Sequence, residues 1–516
     1  MKNVKSKIYT NASIVTALSV AERGLGFLYR IVLSRLISAE GLGLYQVALS
    51  LFGLFVTIGT GGIPLVVSRM ITKSNTEGSA RGEYGAVGAG LTACLLLTLP
   101  VCLFFWIFGE KTAFLFSDER SFSVFRILLT GLCCTAVYAV IRGSFWGNKE
   151  FLAPSVMEIL EESVMVIVGV LLLQRVATPL DGAKKAAWAV VASYFFSCTL
   201  SLVWFCVKGG KVGNHKGYLK PLFASSLPIT SVRASASLVN SAVAVLLPVM
   251  LIRAGLEKSE ALELFGVVSG MVLPILFIPS TLIGSLALVL VPELSEDFYA
   301  KRMERLRLNL SRGLKFSFFI ACFLIPFFVA LGDDLGRIAF SNATAGEMIK
   351  NSAVLLLPMS ITMITSSMLN SMGHEKQTFI FFFVGAAGLL LSVLLLPPLF
   401  GGYAYIIGLG VSYALTALCN LVLLFKTCPL YGKRGGQVFV KEFLPPLCFI
   451  PLLSVIGLLA NSLFNYCTGE FLSMLLTGIV LLIASLLSCL VTGTLSLERL
   501  KEFLPLKKSA SKKVKE

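Results

Sequence analysis

Charge is scarce in this sequence. Only 14% of its 516 residues are Asp, Glu, Lys or Arg, where a soluble globular chain carries roughly a quarter. Histidine occurs twice, at His215 and His374, both in short polar stretches. None of the twelve cysteines forms a Cys-x-x-Cys pair, so neither a metal site nor another cofactor is expected. Cys94, Cys102, Cys133, Cys134, Cys198 and Cys322 lie inside apolar runs, where cysteine packs as a small hydrophobe. Long polar stretches are missing too, which argues against a soluble domain. So is a cleavable leader: Met1–Thr10 is short and basic, and the apolar run after it holds arginines and no small-residue cleavage site.

Apolar sequence is abundant. Hydrophobic residues make up 56% of the chain, and a spanning helix needs about 20 of them in a row. Fourteen candidate spans follow, at about 12–37, 43–68, 84–108, 123–146, 154–176, 186–207, 222–252, 262–292, 313–331, 350–372, 378–397, 403–425, 443–464 and 471–493. The expected fold class is an all-α polytopic membrane protein. The net charge of +16 would suggest nucleic acid in a soluble chain. Here it reads as the excess of lysine and arginine in cytoplasmic loops, and no nucleic-acid partner is expected. An even number of spans puts both termini on one side. That side collects thirty of the 44 basic residues and the other nine, which predicts cytoplasmic termini. The last five, Arg23, Arg30, Arg35, Arg126 and Arg233, fall within spans.

The glycine-rich, basic stretch 208–220 follows the sixth span and reads as a linker. Residues 1–207 then form one lobe and 221–426 a second. Residues 427–495 hold two added spans, and 496–516 a basic cytoplasmic tail suited to anionic headgroups. Weak repeats support two six-helix halves. Ile58-Gly59-Thr60 resembles Ile283-Gly284-Ser285, and Gly147-Asn148-Lys149-Glu150 resembles Gly373-His374-Glu375-Lys376. The mixed-charge segment Glu293–Arg312 reads as a cytoplasmic surface helix.

The first span is the most unusual. It carries Glu22, Arg23, Arg30 and Arg35, and an ionised group at the centre of a spanning helix costs roughly 2.5–3.5 kcal/mol. Arg23 and Arg30 are seven residues apart, so they share a face. Guanidinium is always charged and grips phosphate with paired donors, and the face reads as the wall of a water-filled, anion-attracting chamber. Arg35, near the helix end, has the simpler reading of snorkelling to the interface. Arg233 lies among Thr230, Ser231, Ser235, Ser237, Asn240 and Ser241. That face suits either the opposite wall of the chamber or hydrogen-bonding glue between helices. Glu158, Glu161 and Glu162 open the fifth span. Glu158 and Glu162 share a face and could pair with Arg126, Arg142 or the first-span arginines, or couple transport to a cation or proton.

Glu22–Gln46 (ERGLGFLYRIVLSRLISAEGLGLYQ) with Gly61–Ile71 (GGIPLVVSRMI) resembles the start of the polysaccharide-transporter branch of the multidrug/oligosaccharidyl-lipid/polysaccharide exporter superfamily. This branch has sporulation members and lipid II flippase relatives. Pro279–Glu296 (PSTLIGSLALVLVPELSE) resembles the matching segment of the second lobe. The resemblance implies two pseudo-symmetric six-helix lobes around a central cavity, with two further C-terminal helices. It implies a flippase in the bacterial cytoplasmic membrane that moves a polyprenyl-diphosphate-linked saccharide or peptidoglycan precursor among membrane lipids, as a monomer. Arg23, Gly26 and Phe27 match the first-span pattern of the lipid II flippases, with Arg30 shifted by about one place. Where those flippases hold arginines in the second and eighth spans, this chain has Val56, Thr57 and Ser269–Met271. Arg233 is the candidate to replace them. The rival reading is a cation-coupled multidrug exporter of the same superfamily. A membrane transferase would need Asp, Glu or His in a sizeable outer loop, and the longest here is about Gly332–Ile349; no enzyme is expected.

Overall fold

The computed structural model describes residues 2–429 and 435–491, all of them in helices or the short turns between helices. The basic tail, and the lysine and arginine of 430–434, lie outside the described residues. The described chain divides into two compact units. One comprises the residues up to Pro274 with Leu389–Gly408, the other Ile275–Gly388 with the residues from Leu409 onward.

The first unit begins with α1 (Lys2–Leu36), α2 (Ala39–Thr60), α3 (Ile63–Thr76) and α4 (Ala80–Ile107). Next come α5 (Glu119–Leu129) and α6 (Leu132–Gly147), then α7 (Leu152–Leu173), α8 (Pro179–Val207) and α9 (Leu219–Arg253). It closes with α10 (Lys258–Gly266), which runs on through a π-turn at Val267–Val272 to Leu273–Leu276. The core of this unit joins α3, α4 and α6 through Ile63, Val67, Ile71, Ala86, Val87, Ala93, Val140 and Ile141. Small residues let the backbones close up there. A methyl at Gly143 would meet the Pro64 carbonyl at 2.5 Å. Between α8 and α9, the stretch read as a linker is held against α4. The Gly213 amide donates to the Tyr84 carbonyl at 2.9 Å, and Tyr218 lies against Gly85.

The second unit carries α11 (Ile278–Tyr299), α12 (Met303–Phe340), α13 (Ala343–Ser352), α14 (Leu356–Ser371) and the first part of α15 (Glu375–Leu395). It also holds most of α16 (Tyr403–Thr427), then α17 (Gly435–Cys467) and α18 (Glu470–Val491). Leu294, Leu306, Leu310, Ile364, Met368 and Leu424 form its core. A polar knot joins α12 to α17 and α18. Asp334, fully buried, accepts from Arg337 Nη2 at 2.8 Å and from Asn461 Nδ2 at 2.6 Å. Asn461 Oδ1 in turn accepts from Ser473 Oγ at 3.0 Å.

The all-helical, polytopic class is as expected; the count of fourteen spans is not confirmed. Twelve helices among the described residues are long and apolar enough to cross a membrane, or thirteen with α5 and α6 taken as one span bent by 45°. Helices α1 and α7 are not among them, because they hold the intramembrane charges: Glu22, Arg23, Arg30 and Arg35 on one, Glu158, Glu161 and Glu162 on the other. The two pack against each other. The eighth span, expected as one helix over 262–292, is broken at Phe277 into α10 and α11, each long enough to span. Pro279 lacks the N–H that would bond the Ile275 carbonyl, just where α11 begins, and the Phe277 carbonyl accepts from Ser280 N at 3.0 Å in the first turn of α11. Glu293–Arg312 is not a surface helix. It is the end of α11 and the start of α12, joined through Lys301 in a left-handed conformation (φ 55°).

Candidate functional site

The charges of α1 and α7 meet along one seam. Tyr29 is buried there against Gly169 of α7, and Gly26 lets the Glu162 carboxylate come close to α1. Glu22 lies within electrostatic reach of Glu158, Arg23 and Arg142, and Glu162 within reach of Glu22 and Arg30. From α6, Arg142 Nη1 donates to Glu158 Oε1 at 2.9 Å. Its guanidinium lies over Trp146 and Tyr138, 5.0 and 5.6 Å from the ring centroids. Glu161 stands within reach of Arg142 and of Ser197 on α8. Its Oε2, with Tyr29 Oη, Tyr138 Oη and Arg142 Nε, is buried without a hydrogen-bond partner among the described residues. Buried polar atoms left this way are costly. Four carboxylates thus crowd one place with Arg142 as the only cation bonded to them among the described residues.

Arg23 and Arg30 border this acidic seam. Both side chains are exposed, and among the described residues neither has a carboxylate within 4.0 Å. Their guanidinium donors are therefore available to an anion from outside the chain. Arg35 is exposed in the last turn of α1. Arg126 stands apart from the acids. It is exposed on α5 and lies 4.3 Å from the centroid of the Trp106 ring.

Arg233 belongs to a second seam, between α9 and the broken second span. Helix α2 stops at Thr60 and α3 starts at Ile63, with Gly61 and Gly62 between. Arg233 Nη1 donates to the Gly61 carbonyl at 2.7 Å. The Gly62 amide donates to Thr230 Oγ1 at 2.9 Å. Thr57 and Ser237 share a hydroxyl–hydroxyl bond of 2.9 Å, and Ser241 Oγ donates to the Ser50 carbonyl at 2.8 Å. Thr230, Arg233, Ser237 and Ser241 recur at helical spacing, so one face of α9 makes all four bonds. Ser231 and Ser235 bond carbonyls of their own helix, and Asn240 is exposed.

Composition drew attention to the arginines and to the glutamates of the fifth span. It gave no reason to place Glu22, Tyr29 or Tyr138 in one cluster with them. Their proximity comes from α1, α6, α7 and α8 converging, and only Glu22, an acid in an apolar run, left a local trace.

The family model for polysaccharide biosynthesis proteins matches residues 8–298. The chain belongs to this family, the polysaccharide-transporter branch of the multidrug/oligosaccharidyl-lipid/polysaccharide exporter superfamily. This family member is 24% identical to stage V sporulation protein B of Bacillus subtilis (strain 168) over 67% of its own length and 69% of that protein. It is 20% identical to the lipid II flippase MurJ of the same organism over 91% and 90%. Among solved structures, the lipid II flippase MurJ in an inward closed conformation aligns with a TM-score of 0.68, at 15% identity, over 95% of this chain and 99% of that one. An inward-facing MATE family multidrug resistance transporter aligns with a TM-score of 0.66, at 14% identity, over 79% and 94%. The fold is therefore shared over most of the chain, and the protein is a multi-pass membrane transporter by family and architecture.

Proposed function

We propose that this protein flips a polyprenyl-diphosphate-linked saccharide or peptidoglycan precursor across the cytoplasmic membrane by alternating access. One observation carries the reading: Arg23 and Arg30 share a face of a helix among membrane spans and keep their donors free of carboxylates among the described residues. A diphosphate is the complement of such a pair. Its charge excludes it from hydrocarbon, while the prenyl tail stays in lipid. Residues 1–207 and 221–426 act as the two rocking lobes, both termini face the cytoplasm, and the protein works as a monomer that carries its substrate unchanged.

The acidic seam supports a coupling role beside the arginines. Glu22, Glu158, Glu161 and Glu162 outnumber their cations, and Glu161 Oε2 has no bond among the described residues. A proton or small cation taken up there would relieve that repulsion. The same acids favour the second reading, a cation-coupled multidrug exporter. Depletion of the protein in its host, followed by analysis of lipid-linked intermediates on the inner leaflet, tests the first reading: accumulation of a polyprenyl-diphosphate saccharide is expected. Unchanged intermediates, with uptake of cationic dyes into inverted vesicles, would replace it with the second.

A further inference from the structure

We infer that the hydrogen-bonded seam between α9 and the Gly61–Gly62 break is a latch opened by the diphosphate headgroup through Arg233; this rests on the diphosphate reading above. A break in a spanning helix leaves backbone groups without their usual partners, and in a membrane they must be bonded by something else. Here two of the break's groups are bonded by side chains of α9: the Gly61 carbonyl by Arg233 and the Gly62 amide by Thr230. The break is held from across the seam, and its geometry depends on α9 staying where it is.

The rungs are unequal. Thr57–Ser237 and Ser241–Ser50 join neutral partners. The Arg233 rung is charge-assisted on one side only, because the Gly61 carbonyl accepts without carrying a charge. A phosphate oxygen is a much better acceptor for guanidinium than an amide carbonyl, and it takes two donors at once. Arg233 is also exposed, so an anion can reach it without prior unfolding of the seam. No carboxylate lies within 4.0 Å of it among the described residues. Arg233 thus has one weak acceptor now and a stronger one whenever diphosphate arrives. When it transfers, the Gly61 carbonyl loses its partner, and α2 and α3 are free to change their angle at the break. The same cation then registers the substrate and releases the helix.

The seam also contains its own reporter. The hydroxyl oxygens of Thr57 and Ser237 lie 2.9 Å apart, so the pair Thr57→Cys with Ser237→Cys places two thiols in reach of each other. The experiment uses the full chain in lipid nanodiscs, with copper–phenanthroline as oxidant and cross-linking read by peptide mass spectrometry. Farnesyl diphosphate is the probe and farnesol its uncharged control. Binding of the probe is measured in the same preparation by calorimetry. The expected result is binding of farnesyl diphosphate with cross-linking slowed about tenfold, the scale of one lost charge-assisted bond. Farnesol should have no effect, and in Arg233→Gln cross-linking should be slow with or without probe. If that variant does not accumulate, Arg233→Lys keeps the charge and should weaken the response. Binding without any change in cross-linking overturns the latch and leaves the diphosphate reading standing. Slowing by farnesol as well, or a full response in Arg233→Gln, overturns the latch too. Absence of binding overturns the diphosphate reading and takes the latch with it.

Discussion

Gly26 on α1 faces Glu162 on α7 so closely that a methyl group on the glycine would lie 2.7 Å from Glu162 Oε1. The obstacle is the tip of a flexible side chain, which can move. Gly26→Ala should therefore fold, and its melting temperature in detergent should stay within a few degrees of the parent. Gly26→Leu cannot be accommodated that way. It should prise α1 from α7 and lower the melting temperature clearly, and transport should fall in both variants because Glu162 is displaced from Arg30.

A contrast within one helix checks the break in the second span. A methyl at Gly62 would meet the Ser226 carbonyl oxygen at 2.5 Å, whereas one at Gly53 would meet nothing within 4 Å. Gly62→Ala should destabilise the protein, since backbone cannot swing aside. Gly53→Ala should stabilise it by about 0.4–1 kcal/mol through the unfolded chain. Thermal unfolding of the two variants side by side reads the difference.

The buried knot around Asp334 should be the costliest single polar site to damage. Asp334→Ala leaves Arg337 without its buried acceptor and Asn461 Nδ2 with only the longer bond to the Ala330 carbonyl, at 3.3 Å. Arg337 is half exposed and keeps Glu470 at 3.8 Å, so the loss is that of the buried bond to Asn461, about 1–3 kcal/mol. Protease sensitivity of α17 and α18 in the purified variant should rise sharply. An unchanged digestion pattern would show that these helices are held by apolar packing alone.

Arg142 and Glu158 offer a charge-reversal test. Arg142→Glu puts a fifth acid into the seam and should abolish transport. Glu158→Arg should also be inactive. The double variant restores the pair at 2.9 Å in reversed order and should recover part of the activity. Complementation at matched protein levels gives the readout, and no recovery would mean that the pair does more than hold α6 to α7.

For the headgroup itself, Arg23→Ala and Arg30→Ala should each abolish complementation while leaving the melting temperature nearly unchanged. Both side chains are exposed and unpaired with acids among the described residues, so little folding energy depends on them. Retained activity in both variants would remove the diphosphate grip.

The helical architecture was legible in the sequence because hydrophobic run length is a local property, and so was the strangeness of α1, since charge in an apolar run is visible without knowing what faces it. The break at Phe277 was not. Pro274 and Pro279 marked the neighbourhood, yet proline in a spanning helix as often bends it as ends it. The acidic seam was half visible: Glu158, Glu161 and Glu162 sit within five residues, but Arg142, Ser197 and Glu22 reach them from other helices. Arg233 was ambiguous for a chemical reason. The same guanidinium suits a bound anion and a stray carbonyl, and only the position of Gly61 shows that it now serves the carbonyl.

The glycine contact between Gly213 and the start of α4 has a mechanical consequence. The Gly213 amide is tied to the Tyr84 carbonyl, and Gly88 leaves no side chain to hold the strand away. The tie at Gly213 leaves only residues 214–218 between α4 and the start of α9. A movement of α9 that exceeds the reach of those residues must either drag the first turns of α4 along or break that single hydrogen bond, so this short splint bounds how far the start of α9 can travel before the first unit resists.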